Sequence, residues 1–495
     1  MPKKEVFELR PVGWESDPLD EYFKLSALDY YAPQWFCAFS LFFKLTDEEK
    51  PKIIPVLKRG LEVTLSQCRH LNGYLEKHPE GGLCFHKKRE STVEFHVQWL
   101  DGPESEGEYP SFYDLEKRHF VSQALGEIYT WCVPPMALGE KPEAKAARNP
   151  KGAAYKASFI RGGLVFVMHF HHYANDAVGW KGELNQLAKN CFAIWKCPEN
   201  PSFPSWDPAC LDRSRITPPD VPEDQQVDGP VCASKHPDMR SCQRLLFHVP
   251  KSKKAELKRL ASLEDRSYQI SSYDAYVSYM WRILTKHKAK LYKPDPKQHL
   301  RFQEWIDVRM CFHDPPVPAS MQGNGIYLAS NANAPVPPLT AEEVISQAPL
   351  EKLAWYVRQI TNSVTQERVV EEIAATARIR NKAALDWRAD SPSPLTVSMT
   401  DWRGTRPADA DFGFAKPHGF RLLWDAPTPN VTGVYLERAH NPPAGEDEGN
   451  EISMTLEKEI IKDVLEDPEW NGYFEFRGLE ADDKPLARRR RQYVL

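Results

Sequence analysis

Two adjacent histidines, His171 and His172, are followed by an aspartate four residues after the second, in the segment His171-His172-Tyr173-Ala174-Asn175-Asp176. An imidazole titrates near neutrality, so it can take a proton from a weak nucleophile and return it to a leaving group. By itself H-x-x-x-D is a weak pattern, more often a structural hydrogen-bonding pair than a catalytic one. The same segment also carries metal-ligand types, because His169, His171, His172 and Asp176 lie close together in sequence. In an extended strand His169 and His171 share a face while His172 points the other way, so a metal would require the strand to bend. The structural alternative places His169 and His171 in the core with their hydrogen bonds satisfied.

The elements that must hold these residues are legible. Gly163 to Phe170 is a nearly continuous apolar run, as expected of a strand buried on both faces. Directly after the loop, Trp180, Leu184, Leu187, Cys191 and Ile194 recur at helical intervals. The spacing therefore predicts strand, tight loop and helix, with His172 and Asp176 in the loop. Thr46 and Glu49 carry a capping-box spacing before Ile53, Ile54, Leu57, Leu61 and Leu65. Short strands are expected at Leu83 to Phe85 and Val93 to Val97. N-capped helices are expected at Ser252 to Leu263 and Ser271 to Lys286, and another helical stretch from Thr340, interrupted by Pro349. Alternating strand-like and helix-like segments place the chain in the α/β or mixed α+β class.

At 495 residues the chain predicts two domains. Prolines crowd the stretch from Cys197 to Pro237 and mark a linker. The expected division is an N-terminal domain over 1–196, a crossover linker over 197–237 and a C-terminal domain over 238–495. A net charge of −5 and a pI near 6.3 give no footprint for nucleic acid. Neither a secretory signal nor an apolar run long enough to cross a bilayer is evident, so a soluble, cytoplasmic protein is expected. Ten cysteines, scattered singly from Cys37 to Cys311, suit reduced thiols. The basic run from Ala487 to Gln492 reads as a solvated tail rather than a membrane or partner contact.

Segments far apart in sequence then combine. Asp411-Phe412-Gly413-Phe414-Ala415-Lys416-Pro417 lies far downstream of His172. Between the two come Ser272-Tyr273-Asp274-Ala275, Trp281-Arg282, Asp307-Val308-Arg309, Pro315-Pro316-Val317-Pro318 and Gly323-Asn324. Near the start stands Leu25-Ser26-Ala27-Leu28-Asp29. In order and approximate spacing this set resembles the BAHD acyltransferase family, in particular its fungal branch that includes trichothecene 3-O-acetyltransferases. The family's motifs are H-H-x-x-x-D-G and D-F-G-W-G-K-P.

The resemblance implies two domains like those of chloramphenicol acetyltransferase, each a mixed sheet with packed helices, and an active site in a tunnel between them. It implies acyl transfer, with acetyl favoured, from acyl-coenzyme A to a hydroxyl of a terpenoid or alkaloid secondary metabolite. His172 would be the general base in a ternary complex without acyl-enzyme. Amide formation and carrier-bound condensation remain as variants, and a zinc hydrolase or a non-catalytic small-molecule-binding homologue as rivals. Asp176 would pair with Arg309 as a structural element, and Thr400-Asp401-Trp402 would stand near the oxyanion, through the Thr400 hydroxyl or the Trp402 indole. Ser272, Lys253, Lys254 and Lys258 are candidates for coenzyme A. Neither a tightly bound cofactor nor a metal is expected, and the protein should be a monomer.

Two departures stand out, Ala177 for Gly and Phe414-Ala415 for Trp-Gly. Alanine enters positive φ less freely than glycine, so an altered backbone after Asp176 is expected, partly offset by Gly179.

Overall fold

The computed structural model describes residues 2–105, 107–139, 141–217, 221–263, 269–437, 447 and 449–483. The basic run of 487–492 lies outside the described residues.

Two large sheets, each with packed helices, organise the chain. The first has six strands in the order Lys4–Leu9, Val93–Trp99, Ala153–Ile160, Gly163–His171, Phe36–Lys44 and Gly419–Leu422. The predicted apolar run becomes the strand Gly163–His171, and every one of its residues is buried. Its flanking strands bury it edge-on, and the helices Lys50–Gln67 and Ala177–Lys196 pack together alongside the sheet. Those helices come close at Gly60, where an added Cβ would stand 2.4 Å from Cys191 Sγ.

The last strand of this sheet comes from far along the chain. Gly419–Leu422 pairs antiparallel with Phe36–Lys44, in the register Gly419 to Phe42 and Leu422 to Phe39. Phe412, Phe414 and Phe420 join the same core. Gly413 turns with φ +85°, and an added Cβ would strike the Trp195 side chain and the Phe192 main chain. The Asp411 to Pro417 segment thus wedges a glycine turn against the end of the helix Ala177–Lys196. Residues assigned by sequence to the second half complete the first sheet.

The second sheet has seven strands in the order Ile326–Ser330, Phe302–Asp307, Val397–Asp401, Val431–Glu437, Gly449–Glu457, Cys242–Pro250 and Glu475–Asp482. The helix Ser272–Tyr292 lies on it, burying Tyr273, Val277, Met280, Trp281 and Leu284. Ser271 and Asp274 form a full capping box at its start. Leu353, Val357 and Ile360 are buried on the helix Leu350–Asn362, which begins directly after Pro349.

Two predicted helix starts are corrected. The helix expected from Ser252 is Lys251–Leu260; Pro250 occupies its cap position and has no side-chain acceptor to offer, while Ser252, already inside the helix, donates its N–H and hydroxyl to Asp447. Thr46 and Glu49 do bond to each other, at 2.8–3.0 Å. The helix nevertheless starts one turn later, at Lys50. The proline-rich stretch is mostly irregular, with short 3-10 turns such as Ser214–Ile216, but it is held in place: Arg213 reaches buried Asp29 at 2.8 Å.

Candidate active site

The strand Gly163–His171 delivers His172 to the space between the sheets. Its pairing with Phe36–Lys44 runs one residue further, with the His172 N–H donating to the Trp35 carbonyl at 2.9 Å. Successive side chains then diverge as strand geometry requires. His171 turns into the core, where its Nε2 donates to the Ala144 carbonyl at 2.8 Å and its Nδ1 accepts from the Tyr173 N–H at 3.0 Å. His169 accepts from the Val133 N–H at 3.2 Å. Burial pushes both imidazoles down to about 3, so they are neutral. Among the described residues no group of three or more His, Cys, Asp or Glu is placed to hold a metal ion. These histidines do not converge.

His172 faces a cavity of about 120 Å³. Its walls are mainly aromatic: Trp35, Phe39, Trp305, Trp387, Trp402 and Trp424, with Thr400 as the hydroxyl and Cys37 as a thiol. Burial holds the His172 imidazole below its usual 6.5, against the opposing pull of its own main-chain carbonyl, then of Asp176, the Asn324 side chain and Asp29. Neutral imidazole is the form that accepts a proton. An acid limb set by this imidazole in a kcat/KM profile would lie below pH 6.5, and a limb near pH 8 would belong to another group. Nδ1 is the buried ring nitrogen, so the Nε2 edge is the one left to the cavity.

Thr400 lies on the strand Val397–Asp401, opposite Trp305 of Phe302–Asp307, and both residues line the cavity. The Trp402 indole N–H donates to the Thr400 hydroxyl oxygen at 3.0 Å. Of the two oxyanion donors considered from sequence, Trp402 is therefore already committed. Thr400, accepting from Trp402, keeps its own O–H proton to give to a substrate oxygen. Trp402 also stacks edge-on against Phe39 of the first sheet, with centroids 5.0 Å apart, so it bridges the two bodies.

Asp176 and Arg309 meet as the resemblance implied. Arg309 is buried, and its fork is fully used. Nη1 reaches Asp176 Oδ2 at 3.0 Å and Asp307 at 2.8 Å; Nη2 reaches Asp176 Oδ1 at 3.0 Å and the Gly323 carbonyl at 2.9 Å; Nε reaches the Met321 carbonyl at 3.0 Å. Asp176 is not simply a loop residue. It caps the helix Ala177–Lys196, accepting from the Val178 and Gly179 N–H groups at 3.0 and 2.8 Å, and it also accepts from the Gly325 N–H at 2.8 Å. Ala177 is the first helical residue and has no positive φ, so alanine meets no backbone strain at this position. The importance of Gly179 is space: a Cβ there would sit 2.4 Å from Asn175 Oδ1.

The coenzyme candidates scatter. Ser272 opens the helix Ser272–Tyr292, and the next residue, Tyr273, lies under the Arg403 guanidinium at 5.6 Å, one position along from Trp402. Lys253 pairs with Glu256 at 3.1 Å, Lys254 bonds Asn450, and Lys258 is exposed on the same short helix. None of the three lines the cavity. Reading the sequence missed Trp35, Trp387 and Trp424 as walls, and also a neighbouring, more polar cavity of about 180 Å³. That cavity shares Pro33, Trp35, Leu138 and Trp387 with the first and adds Lys141, Lys145, Asp386, Arg388, Asp390 and Asp425. Its charges are internally paired, as in Lys141 to Asp425 at 2.6 Å.

Comparison with known proteins gives a consistent picture. The family described as trichothecene 3-O-acetyltransferase-like N-terminal domain matches residues 36–191, and the Transferase family matches residues 152–470. Acetyltransferase FGR3 of Gibberella zeae is 46% identical over 480 residues, 97% of this chain and 95% of its own. The crystal structure of F. graminearum TRI101 with coenzyme A and T-2 mycotoxin is similar with a TM-score of 0.74 at 18% identity, covering 92% of this chain and 100% of that one. Vinorine synthase is similar with a TM-score of 0.64 at 17% identity, covering 96% and 99%. The fold is the two-domain fold these structures share.

Proposed function

The chain belongs to the Transferase family, and we propose that it transfers an acyl group from acyl-coenzyme A to a hydroxyl of a small-molecule acceptor, with His172 as general base. The observation that carries this reading is the pairing, in one apolar cavity, of an open imidazole edge with a hydroxyl that has a proton to give. Acetyl is the acyl group, since the relative at 46% identity is named an acetyltransferase. A match to a family described by a 3-O-acetyltransferase supports ester over amide.

In this mechanism His172 Nε2 takes the acceptor's hydroxyl proton as the oxygen attacks the thioester carbonyl. The resulting oxyanion accepts a hydrogen bond from Thr400. As the tetrahedral centre collapses, the C–S bond breaks and His172 returns the proton to the departing coenzyme A thiolate. Cys37 lines the cavity, but burial raises its thiol well above its usual 9.0. It remains a protonated wall residue, in keeping with direct transfer without acyl-enzyme.

The aromatic walls suit an acceptor with a rigid apolar body and one hydroxyl aimed at His172, which a terpenoid or alkaloid provides. Ser272, at a helix start, is followed by Tyr273 under the Arg403 guanidinium, a cation that coenzyme A phosphates could meet. Among the described residues no helix is long and apolar enough to cross a membrane. A monomeric cytoplasmic enzyme completes the reading.

The test is acceptor-dependent release of free thiol from acetyl-coenzyme A across a panel of hydroxylated terpenoids and alkaloids. Thiol release with no acylated product, or none with any acceptor while a carrier-bound acyl group is consumed, would replace the reading with hydrolysis or condensation. Within the same assay, Thr400→Val should lower kcat by roughly 10²- to 10³-fold at little change in KM, while Thr400→Ser keeps most of the rate. A valine variant within threefold of wild type would remove Thr400 from the mechanism.

A further inference from the structure

Behind His172, away from the cavity, lies a carboxylate that the mechanism above does not use. Asp29, in the 3-10 turn Leu28–Tyr31, is fully buried. Its Oδ2 accepts from Arg213 Nη1 at 2.8 Å and from the Ser26 N–H at 2.6 Å. Its Oδ1 accepts from Asn324 twice, from the main-chain N–H at 2.8 Å and from Nδ2 at 2.9 Å. The same Asn324 Nδ2 donates to the His172 carbonyl at 2.8 Å.

These contacts fix more than a position. An ionised carboxylate only accepts, so Asp29 compels Asn324 to point its NH₂ group toward it. Both amide protons are then spent, one on Asp29 and one on the His172 carbonyl. Oδ1 of Asn324 must face the other way. It is buried without a hydrogen-bond partner, and so is Nδ1 of His172; Asn324 favours the protonated form of that imidazole. Foremost among the groups that favour a proton on the ring is the residue's own main-chain carbonyl, the oxygen that Asn324 Nδ2 holds, and a proton on Nδ1 leaves the lone pair on Nε2, the edge open to the cavity.

We propose that Asp29 is a positioning residue that sets the amide orientation of Asn324 and, through it, the tautomer and main-chain placement of His172. The inference rests on His172 being the base. Asp29 lies 143 positions from His172 in the chain and Asn324 lies 152 beyond it, so three separated segments meet at one imidazole. Arg213, from the linking stretch, is the ion-pair partner of Asp29 and touches neither Asn324 nor His172 in any hydrogen bond described.

The decisive comparison is Asp29→Asn with Arg213→Gln, with His172→Ala in the same thiol-release assay. The first two variants break the same buried ion pair, but only Asp29→Asn frees Asn324 to turn over. Asp29→Asn should lose about 10- to 100-fold in kcat, with both KM values within threefold of wild type. Arg213→Gln should retain kcat within about threefold. The acid limb of kcat/KM should also move to lower pH in Asp29→Asn, because a negative charge that raises the His172 pKa has gone. The other charges facing that ring, Asp176 with Arg309 and Asp307, and neighbouring neutral His171, are unchanged in both variants. Equal kcat losses in the two variants, or an unshifted acid limb with wild-type kcat, would overturn the proposal. Should Asp29→Asn not fold, Asn324→Ala, which leaves the Asp29 to Arg213 pair intact, must show the same kcat loss at unchanged KM, and a wild-type rate there overturns it. If His172→Ala is as active as wild type, the general-base reading itself has failed.

Discussion

Replacing His172 by alanine is expected to lower kcat/KM by roughly 10²- to 10⁴-fold while leaving the thermal midpoint almost unchanged. The ring is half-buried and lines the cavity rather than the core. What holds the residue is its main chain, through the Trp35 carbonyl and the Asn324 side chain, and alanine keeps both. The contrast is His171→Ala. That variant removes two buried hydrogen bonds and edge contacts with Phe36, Phe85 and Tyr173, so it should lower stability before it alters chemistry. Circular dichroism and thiol release on the two purified variants separate the effects. A fully active His172→Ala enzyme would mean that the acceptor's proton leaves by another route.

The second large effect concerns Asp176, and it is one of stability. Asp176→Ala leaves the buried Arg309 guanidinium without its bidentate partner, a loss worth about 3–5 kcal/mol. The same substitution uncaps the helix Ala177–Lys196, for about 1 kcal/mol more. Urea or thermal unfolding should show the drop directly. Asp176→Asn keeps an oxygen for the Val178 and Gly179 N–H groups and should lose less than alanine does. A double variant, Asp176→Ala with Arg309→Leu, should recover part of the stability because the fully buried guanidinium leaves with its partner, and the carboxylate that loses Arg309, Asp307, is partly exposed. If Asp176→Ala unfolds like wild type yet fails to turn over, the carboxylate belongs to the chemistry instead.

Local patterns were the legible part of this sequence. The apolar run from Gly163 to Phe170 and the stripe after Asp176 specified a buried strand and an amphipathic helix, and the structure has both. Each signal sits in one continuous window, where periodicity reports which faces are buried. The resemblance also paired Asp176 with Arg309, and in the structure the two side chains meet. The cavity walls did not, because Trp35, Trp305, Trp387 and Trp424 come from four separate segments, and nothing local marks a tryptophan as lining a void rather than filling a core. Asp29 and Asn324 both lay within the matching segments, but their hydrogen bond across 295 positions has no local signature. The choice between Thr400 and Trp402 turned on the direction of one hydrogen bond. Capping residues misled at Ser252, which lies inside the helix that Pro250 begins, and at Thr46, whose bond to Glu49 forms one turn before the helix does.

The strand Gly419–Leu422 has a consequence for how the molecule comes into being. A ribosome delivers the chain from its N-terminus, and five strands of the first sheet are available once residue 171 has emerged. Their sixth partner follows some 250 residues later. Until then the edge of Phe36–Lys44 is open, a row of unpaired main-chain groups on a strand whose residues up to Phe43 are destined for the interior. The nascent first half is thus an adhesive intermediate by construction, and its shielding depends on the rest of the polypeptide arriving. Splitting the gene at the proline-rich stretch would not yield two well-behaved pieces, because the first would lack the strand that seals it and the second would carry that strand with nowhere to dock.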